Sequence, residues 1–214
     1  MAQTAEKTKT AEDLIAEGAP LPAQARFRSF AESTAEDWAV IRLRRVDNHD
    51  TVMKLCLEHL EMLKDPGPAY PVDRYEHSLQ TATRAWRGGA ADDDEMIVAA
   101  LLHDIGDHFA PFNHGEFAAT VLKAFVRPEI YWLVKHHEIF QGYHFFHHLG
   151  GNRNLRDMYR GHPHAQVTQD FCDNWDQTAF DPDFDTMPLD AFMPAMSRVL
   201  AQRKRQVYDR VDED

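Results

Sequence analysis

The segment Met96–Leu102, MIVAALL, is apolar at seven consecutive positions and runs directly into His103 and Asp104. Seven residues make almost two helical turns, so a helix built from them has no polar side and must be enclosed by other elements. ADDDE, immediately before it, brings carboxylates to the end where a helix carries partial positive charge. The chain therefore predicts a central helix that delivers an imidazole and a carboxylate into the interior at its C-terminal end. With 214 residues, 43% of them hydrophobic and 11% aromatic, there is enough material to wrap such a helix within one domain.

The flanking segments read as the wrapping. Val52, Leu55, Cys56, Leu60 and Leu63 form a stripe on a helix over Asp50–Leu63, and KDPGPAYP after it is a loop. From Asp73, Leu79, Ala82, Thr83 and Trp86 share a helical face until RGG. Asn113 and Glu116 are spaced as a capping box, and Pro128 suits the first turn of the helix PEIYWLVKHHEIF. A last long helix is expected over His164–Thr178, with Val167, Phe171 and Trp175 spaced by four. No hairpin signal or repeat competes, so the fold class is all-α. Residues 1–25 are expected to form a flexible N-terminal tail, 26–200 the helical domain, and 201–214 a charged C-terminal tail.

A net charge of -12 disfavours nucleic acid and anionic membranes, which demand a basic footprint. Cys56 and Cys172 are the only cysteines and form no CxxC, so neither a disulfide framework nor a thiolate zinc site is expected. The N-terminus lacks the apolar core of a signal peptide, and Met96–Leu102 is too short to span a bilayer. These features point to a cytoplasmic protein acting on a small molecule.

Helical phase selects among the thirteen histidines. Ile130, Leu133, Val134 and His137 fall at i, i+3, i+4 and i+7, so His137 projects from an apolar face, with His136 about 100° away. His77 lies close to the stripe of Leu79 and Trp86, with Gln80 one turn on; His114 begins a helix; Asp176 follows Trp175 beside another stripe. Inward imidazoles and carboxylates without basic neighbours are costly unless a cation satisfies them. Four imidazoles and two carboxylates suit iron, manganese, cobalt or zinc rather than calcium, and exceed what one tetrahedral ion needs. Two ions bridged by Asp104 fit that count.

The pattern His77, His103–Asp104, His114, His137, Asp176 resembles the HD-domain superfamily, and its four-histidine form is similar to the dinuclear-metal branch. YEHSLQTATRA followed by ADDDEMIVAALLHDIGD is similar to the mixed-valent diiron oxygenases of that superfamily. These are the hydroxyphosphonate oxygenases and, more distantly, myo-inositol oxygenase. Trp175–Asp176 matches the tryptophan-aspartate that supplies the last ligand in the phosphonate enzymes, and this match selects Asp176 over Asp173. The resemblance spans roughly residues 70–180. It implies an HD domain holding two iron ions, Fe(II)/Fe(III), with O2 as co-substrate and cleavage of a C–P or C–C bond beside a hydroxyl-bearing carbon. Asp104 would be the catalytic bridge, His77 and Asp176 would join His103 on one iron, and His114 and His137 would bind the other.

The substrate contacts of those families do not carry over. Gln141 stands where the aminohydroxyethylphosphonate enzyme has its phosphonate-binding lysine, and Asp173 where it has an arginine. Its upstream tyrosine and glutamate have no clear match, although Tyr70 and Asp73 lie nearby, and Asp107 replaces a lysine found after HD in relatives. The expected contacts are instead Gln80, Asp107, Gln141, Tyr143, Arg153 and Arg156. Phe140, Tyr143, Phe145 and Phe146 could wall an alkylammonium site, and Arg153, Arg156 and Arg160 could reach an anionic head group. The alternative activity is a dinuclear-metal HD phosphohydrolase acting on a nucleotide or phosphoester. The scarcity of basic residues argues against it: between His77 and Gly150 there are only Arg84, Arg87, Lys123, Arg127 and Lys135.

Overall fold

The apolar segment is helical and enclosed. The computed structural model describes residues 8–44, 49–65, 67 and 69–204, and among them every regular element is helical, with no strand. The α-helices are α1 (Ala11–Ala16), α2 (Ala35–Arg44), α3 (His49–Met62), α4 (Arg74–Ala85), α5 (Asp94–Leu102), α6 (His114–Leu122), α7 (Pro128–Phe145), α8 (Ala165–Phe171) and α9 (Met193–Leu200). No helix among the described residues is long and apolar enough to cross a membrane.

By its contacts the chain divides into residues 1–48 and residues 49–214. In the first unit α1 packs on α2. Thr10 caps α1 in a reciprocal box with Asp13, whose carboxylate accepts the Thr10 N–H at 2.9 Å. The buried Asp37 accepts the Arg26 and Thr34 N–H groups at 2.8 and 3.0 Å. A capped helix thus stands inside the stretch expected to be a flexible tail over 1–25, because Thr10 and Asp13 supply a local start signal. By contacts the boundary between the two units falls at residue 48. Most of the expected C-terminal tail, from residue 205, lies outside the described residues.

In the second unit α5 is the axis. Met96 to Leu102 are all buried, and α4, α7 and α9 pack against it. Asp93 caps α5 by accepting the Met96 N–H at 3.2 Å, while the Arg127 guanidinium grips the same carboxylate at 2.9 and 2.6 Å. This ties the polar start of the central helix to the residue preceding α7. α3 adds Cys56 and Leu60 to the core and Leu63 follows just after it, whereas Leu55 turns outward and is exposed. α6 and α8 both pack on α7. Full burial of each such Leu, Ile or Val stabilises by roughly 1.5–3 kcal/mol. That is what offsets leading His103 and Asp104 into the same interior.

Two local expectations are corrected. Asn113 occupies the N-cap of α6 without a side-chain cap bond; its amide donates instead to Glu116 Oε2 at 3.3 Å. The helix expected over His164–Thr178 is not continuous. α8 ends at Phe171 and a π turn follows over Cys172–Asp176, with the Gln177 N–H donating to the Cys172 carbonyl at 3.1 Å. Such wide turns are frequent at functional sites, and this one leaves Cys172 and Asp176 both buried.

Candidate metal centre

Five elements converge beneath α5. α4 carries His77 one turn from its Asp73 cap; the end of α5 carries His103 and Asp104; α6 opens with His114; α7 carries His137; the π turn ends in Asp176. All six side chains are buried, His114 the least so at 8% exposure. Two glycines permit the close approach. A Cβ on Gly106 would lie 2.8 Å from the His114 carbonyl, and one on Gly115 2.9 Å from the Val134 carbonyl.

Backbone carbonyls orient three of the imidazoles. Nδ1 of His77 bonds to the Ala179 carbonyl at 3.0 Å, that of His103 to Ala100 at 3.0 Å, and that of His137 to Val134 at 2.7 Å. A carbonyl only accepts, so Nδ1 carries the hydrogen and Nε2 presents a bare lone pair. The Nε2 atoms of His77 and His103 then face each other at 3.1 Å, two acceptors in contact. The Nε2 of His137 and Oδ2 of Asp176 are buried with no hydrogen-bond partner among the described residues. This arrangement is unfavourable for the bare protein and satisfied by cations at the point of convergence.

The carboxylates agree. Asp104 directs Oδ1 at His114 Nε2 (3.0 Å) and His137 Nε2 (3.3 Å), and Oδ2 at His77 Nε2 (3.5 Å). Asp176 Oδ1 lies 3.2 Å from His77 Nε2 and 3.6 Å from His103 Nε2. Burial pushes the Asp104 carboxyl up, but His103, Arg74 and the bond from His114 outweigh it and hold it well below the usual range. For Asp176 burial is likewise overcome by His103 and His77, leaving it ionised. Ligand atoms of His77, His103 and Asp104, of Asp104, His114 and His137, and of His103, His137 and Asp176 each lie within 4.8 Å of one another. These overlapping trios could hold metal, and Asp104 belongs to two of them.

Side chains rather than carbonyls surround the fourth ring. His114 Nδ1 is 3.2 Å from Glu138 Oε1 and 3.6 Å from Asp107 Oδ1, and Glu138 Oε2 accepts the Gly115 N–H at 3.0 Å. Burial lowers the His114 pKa, but Asp104, Glu138 and Asp107 together raise it to about 9. His136 lies apart from the cluster, its Nδ1 bonded to the Trp132 carbonyl at 2.9 Å.

Residues 74–166 match the HD domain family. An HD domain is found there. The HD domain contains His77, His103, Asp104, His114 and His137, while Asp176 is contributed by the chain beyond it. HD domains are typically metal-dependent enzymes, and a buried His/Asp cluster that could bind metal fits that class. No curated protein matches the chain.

A cleft of about 840 Å³ opens on the HD domain's cluster at His114 and is lined further by Arg74, Asp107, Lys135, Gln141 and His144, among others. Of the six expected substrate contacts, Asp107 and Gln141 line it. Gln141 also donates to Asp176 Oδ1 at 2.6 Å. The other four do not line it. Gln80 is buried, with its amide engaged by the Asp181 backbone at 2.6 and 3.1 Å. Arg153 and Arg156 stack over the Tyr143 ring at 4.2 and 3.7 Å, and Arg156 also bonds Asp173 at 2.9 Å. Their charges and the Tyr143 face are thus used within the protein. Of the expected aromatic wall, Phe145 and Phe146 line the cleft, whereas Phe140 is core.

The main omission from sequence reasoning is Arg74. Its Nη1 donates to Asp104 Oδ2 at 2.8 Å, and it lines the cleft. Standing three residues before His77, it shares that helical face, which was the available signal. It lies just outside the interval over which basic residues were counted. Glu138, adjacent to His137, and Phe180, stacked on the His77 ring at 4.3 Å, were also missed.

Proposed function

We propose that the protein is a diiron oxygenase that uses O2 to cleave a C–P or C–C bond beside the hydroxyl-bearing carbon of a small polar substrate. An amino- or trimethylammonio-substituted hydroxyphosphonate is the first candidate. The observation that carries this reading is the divergence of Asp104, one oxygen toward His114 and His137 and the other toward His77, within a set of four imidazoles and two carboxylates. The resemblance of YEHSLQ and HDIGD to the mixed-valent oxygenases supports the choice of reaction. When bound, an iron pair supplies the one-electron chemistry that O2 requires.

The chain's own residues bind and orient. Asp104 would bridge; His77, His103 and Asp176 would hold one ion, and His114 and His137 the other. Arg74 would take the anionic end of the substrate, because its guanidinium lines the cleft, held by Nη1 on Asp104 Oδ2 with Nε 3.8 Å from Asp107 Oδ2. Tyr70 and Phe180, with ring centroids 5.5 Å apart, line the cleft and would limit water there.

Arg74 also favours a second reading, phosphoester hydrolysis, since with Lys135 it brings positive charge to the cleft. Product formation by iron-loaded protein in air and under strict anaerobiosis separates the two. The oxygenase requires O2, acts on hydroxyphosphonates and is inactive with zinc. Anaerobic release of phosphate from esters at the aerobic rate would overturn it.

A further inference from the structure

His137, Gln141 and His144 fall at i, i+4 and i+7 on α7 and form one row. Two carboxylates of the π turn face that row: Gln141 meets Asp176 at 2.6 Å, and His144 Nε2 meets Asp173 Oδ1 at 2.9 Å. The row leads from the buried cluster outward. His137 is wholly buried, and His144 lines the cleft with its side chain 28% exposed. Seven residues of helix place His144 roughly 10 Å beyond His137 along the axis.

Asp173 is held from three directions. Oδ1 accepts from Arg156 as well as His144, each at 2.9 Å, and Oδ2 accepts from Gln169 at 3.2 Å. Burial raises the Asp173 carboxyl, but the bonds from His144 and Arg156 bring it below its ordinary value. An ionised carboxylate only accepts, so the His144 hydrogen sits on Nε2 and Nδ1 is the ring nitrogen left for a ligand. The His144–Asp173 contact thus repeats, farther along α7, the way a ring in the buried cluster is fixed by its far nitrogen.

We infer that His144 is a specificity-determining residue whose Nδ1 accepts a hydrogen bond from a donor, a primary ammonium or hydroxyl, on the substrate end remote from the metals. This rests on the cleft being the substrate site of the proposed oxygenase and narrows it: a primary ammonium meets the requirement, and a trimethylammonium, having no N–H, does not. A ring serving only as a strut between α7 and the π turn would need its Asp173 bond alone. His144→Gln separates these roles, because its amide can reach Asp173 in place of Nε2 while nothing replaces Nδ1.

The test has two arms. In the first, the zinc-substituted full chain, ¹⁵N-labelled at histidine, is titrated with 2-aminoethylphosphonate and with its N-trimethyl analogue. His144 Nδ1 is expected to resonate as an unprotonated nitrogen and to shift with the primary amine but not the analogue. In the second, the iron-loaded wild type and His144→Gln are compared on the corresponding 1-hydroxy compounds. KM for the amino substrate is expected to rise about tenfold or more, with kcat within about twofold, as befits loss of a bond to a charged donor. A protonated Nδ1, or an Nδ1 unmoved by the amine, overturns the inference whatever the activity. An Nδ1 that responds in a protein showing no O2-dependent turnover leaves it standing and removes the oxygenase reading instead.

Discussion

In the proposed two-ion centre, replacing Glu138 with glutamine should weaken one half and leave the other unchanged. Three of the four cluster imidazoles are oriented by the carbonyls of Ala179, Ala100 and Val134, which no side-chain substitution removes. His114 Nδ1 has no hydrogen-bond partner among the described residues and depends on side-chain charges, with Glu138 at 3.2 Å and Asp107 at 3.6 Å. Glutamine keeps the shape and can still accept the Gly115 N–H through its carbonyl oxygen, which now meets Glu138 Oε2 at 3.0 Å. Its amide nitrogen then faces His114 Nδ1, a donor opposite a donor. The ring must rotate or move its hydrogen to Nε2, where it blocks ligation. Loss of such an orienting carboxylate costs about 10–100-fold in metal affinity, or roughly 1.4–2.7 kcal/mol. Equilibrium dialysis against graded chelator, with bound metal counted, should show one ion leaving 10–100-fold more readily and the second unaffected, at unchanged helicity. Equal weakening of both ions, or of neither, would refute the claim that His114 is the one ring oriented by carboxylates.

Two further outcomes follow from the same geometry. His137→Ala should lose a metal ion while His136→Ala retains the wild-type count, since His137 Nε2 lies 3.3 Å from Asp104 and His136 is turned to the Trp132 carbonyl; the reverse result in metal analysis would place α7 in the wrong register. The raised His114 pKa, about 9 against an ordinary 6.5, gives the metal-free protein stability that is complete below pH 6.5 and lost as pH rises through about 9. Metal must displace that proton, so affinity should climb over the same interval as the Tm of the metal-free form falls, and a flat affinity profile would be incompatible with His114 as a ligand.

What was legible in the chain was whatever helical phase controls. MIVAALL had to be central because no face of it is polar, and His137 had to point inward because Ile130, Leu133 and Val134 share its stripe. Asp176 was less accessible: phase through an uninterrupted helix does not separate it from Asp173, and a π turn is set by tertiary packing rather than by a local signal. α9 was overlooked because its buried face, Ala195, Met196, Val199 and Leu200, is confined to eight residues. Which residues line the cleft was hidden for a different reason. Phase says which side of a helix a group occupies but not which charge arrives from elsewhere in the chain. Arg156 is spent on Asp173, seventeen residues away, and on the Tyr143 ring. Gln80 is spent on Asp181, at a separation of 101. Arg74 shows the converse: it stands in the first turn of α4, and only the fold brings Asp104, thirty residues on, within 2.8 Å. Groups whose cost of burial can be met only by a cation therefore announce themselves in sequence. Groups that another side chain can neutralise do not, which is why the buried imidazoles and carboxylates were readable and the walls of the cleft were not.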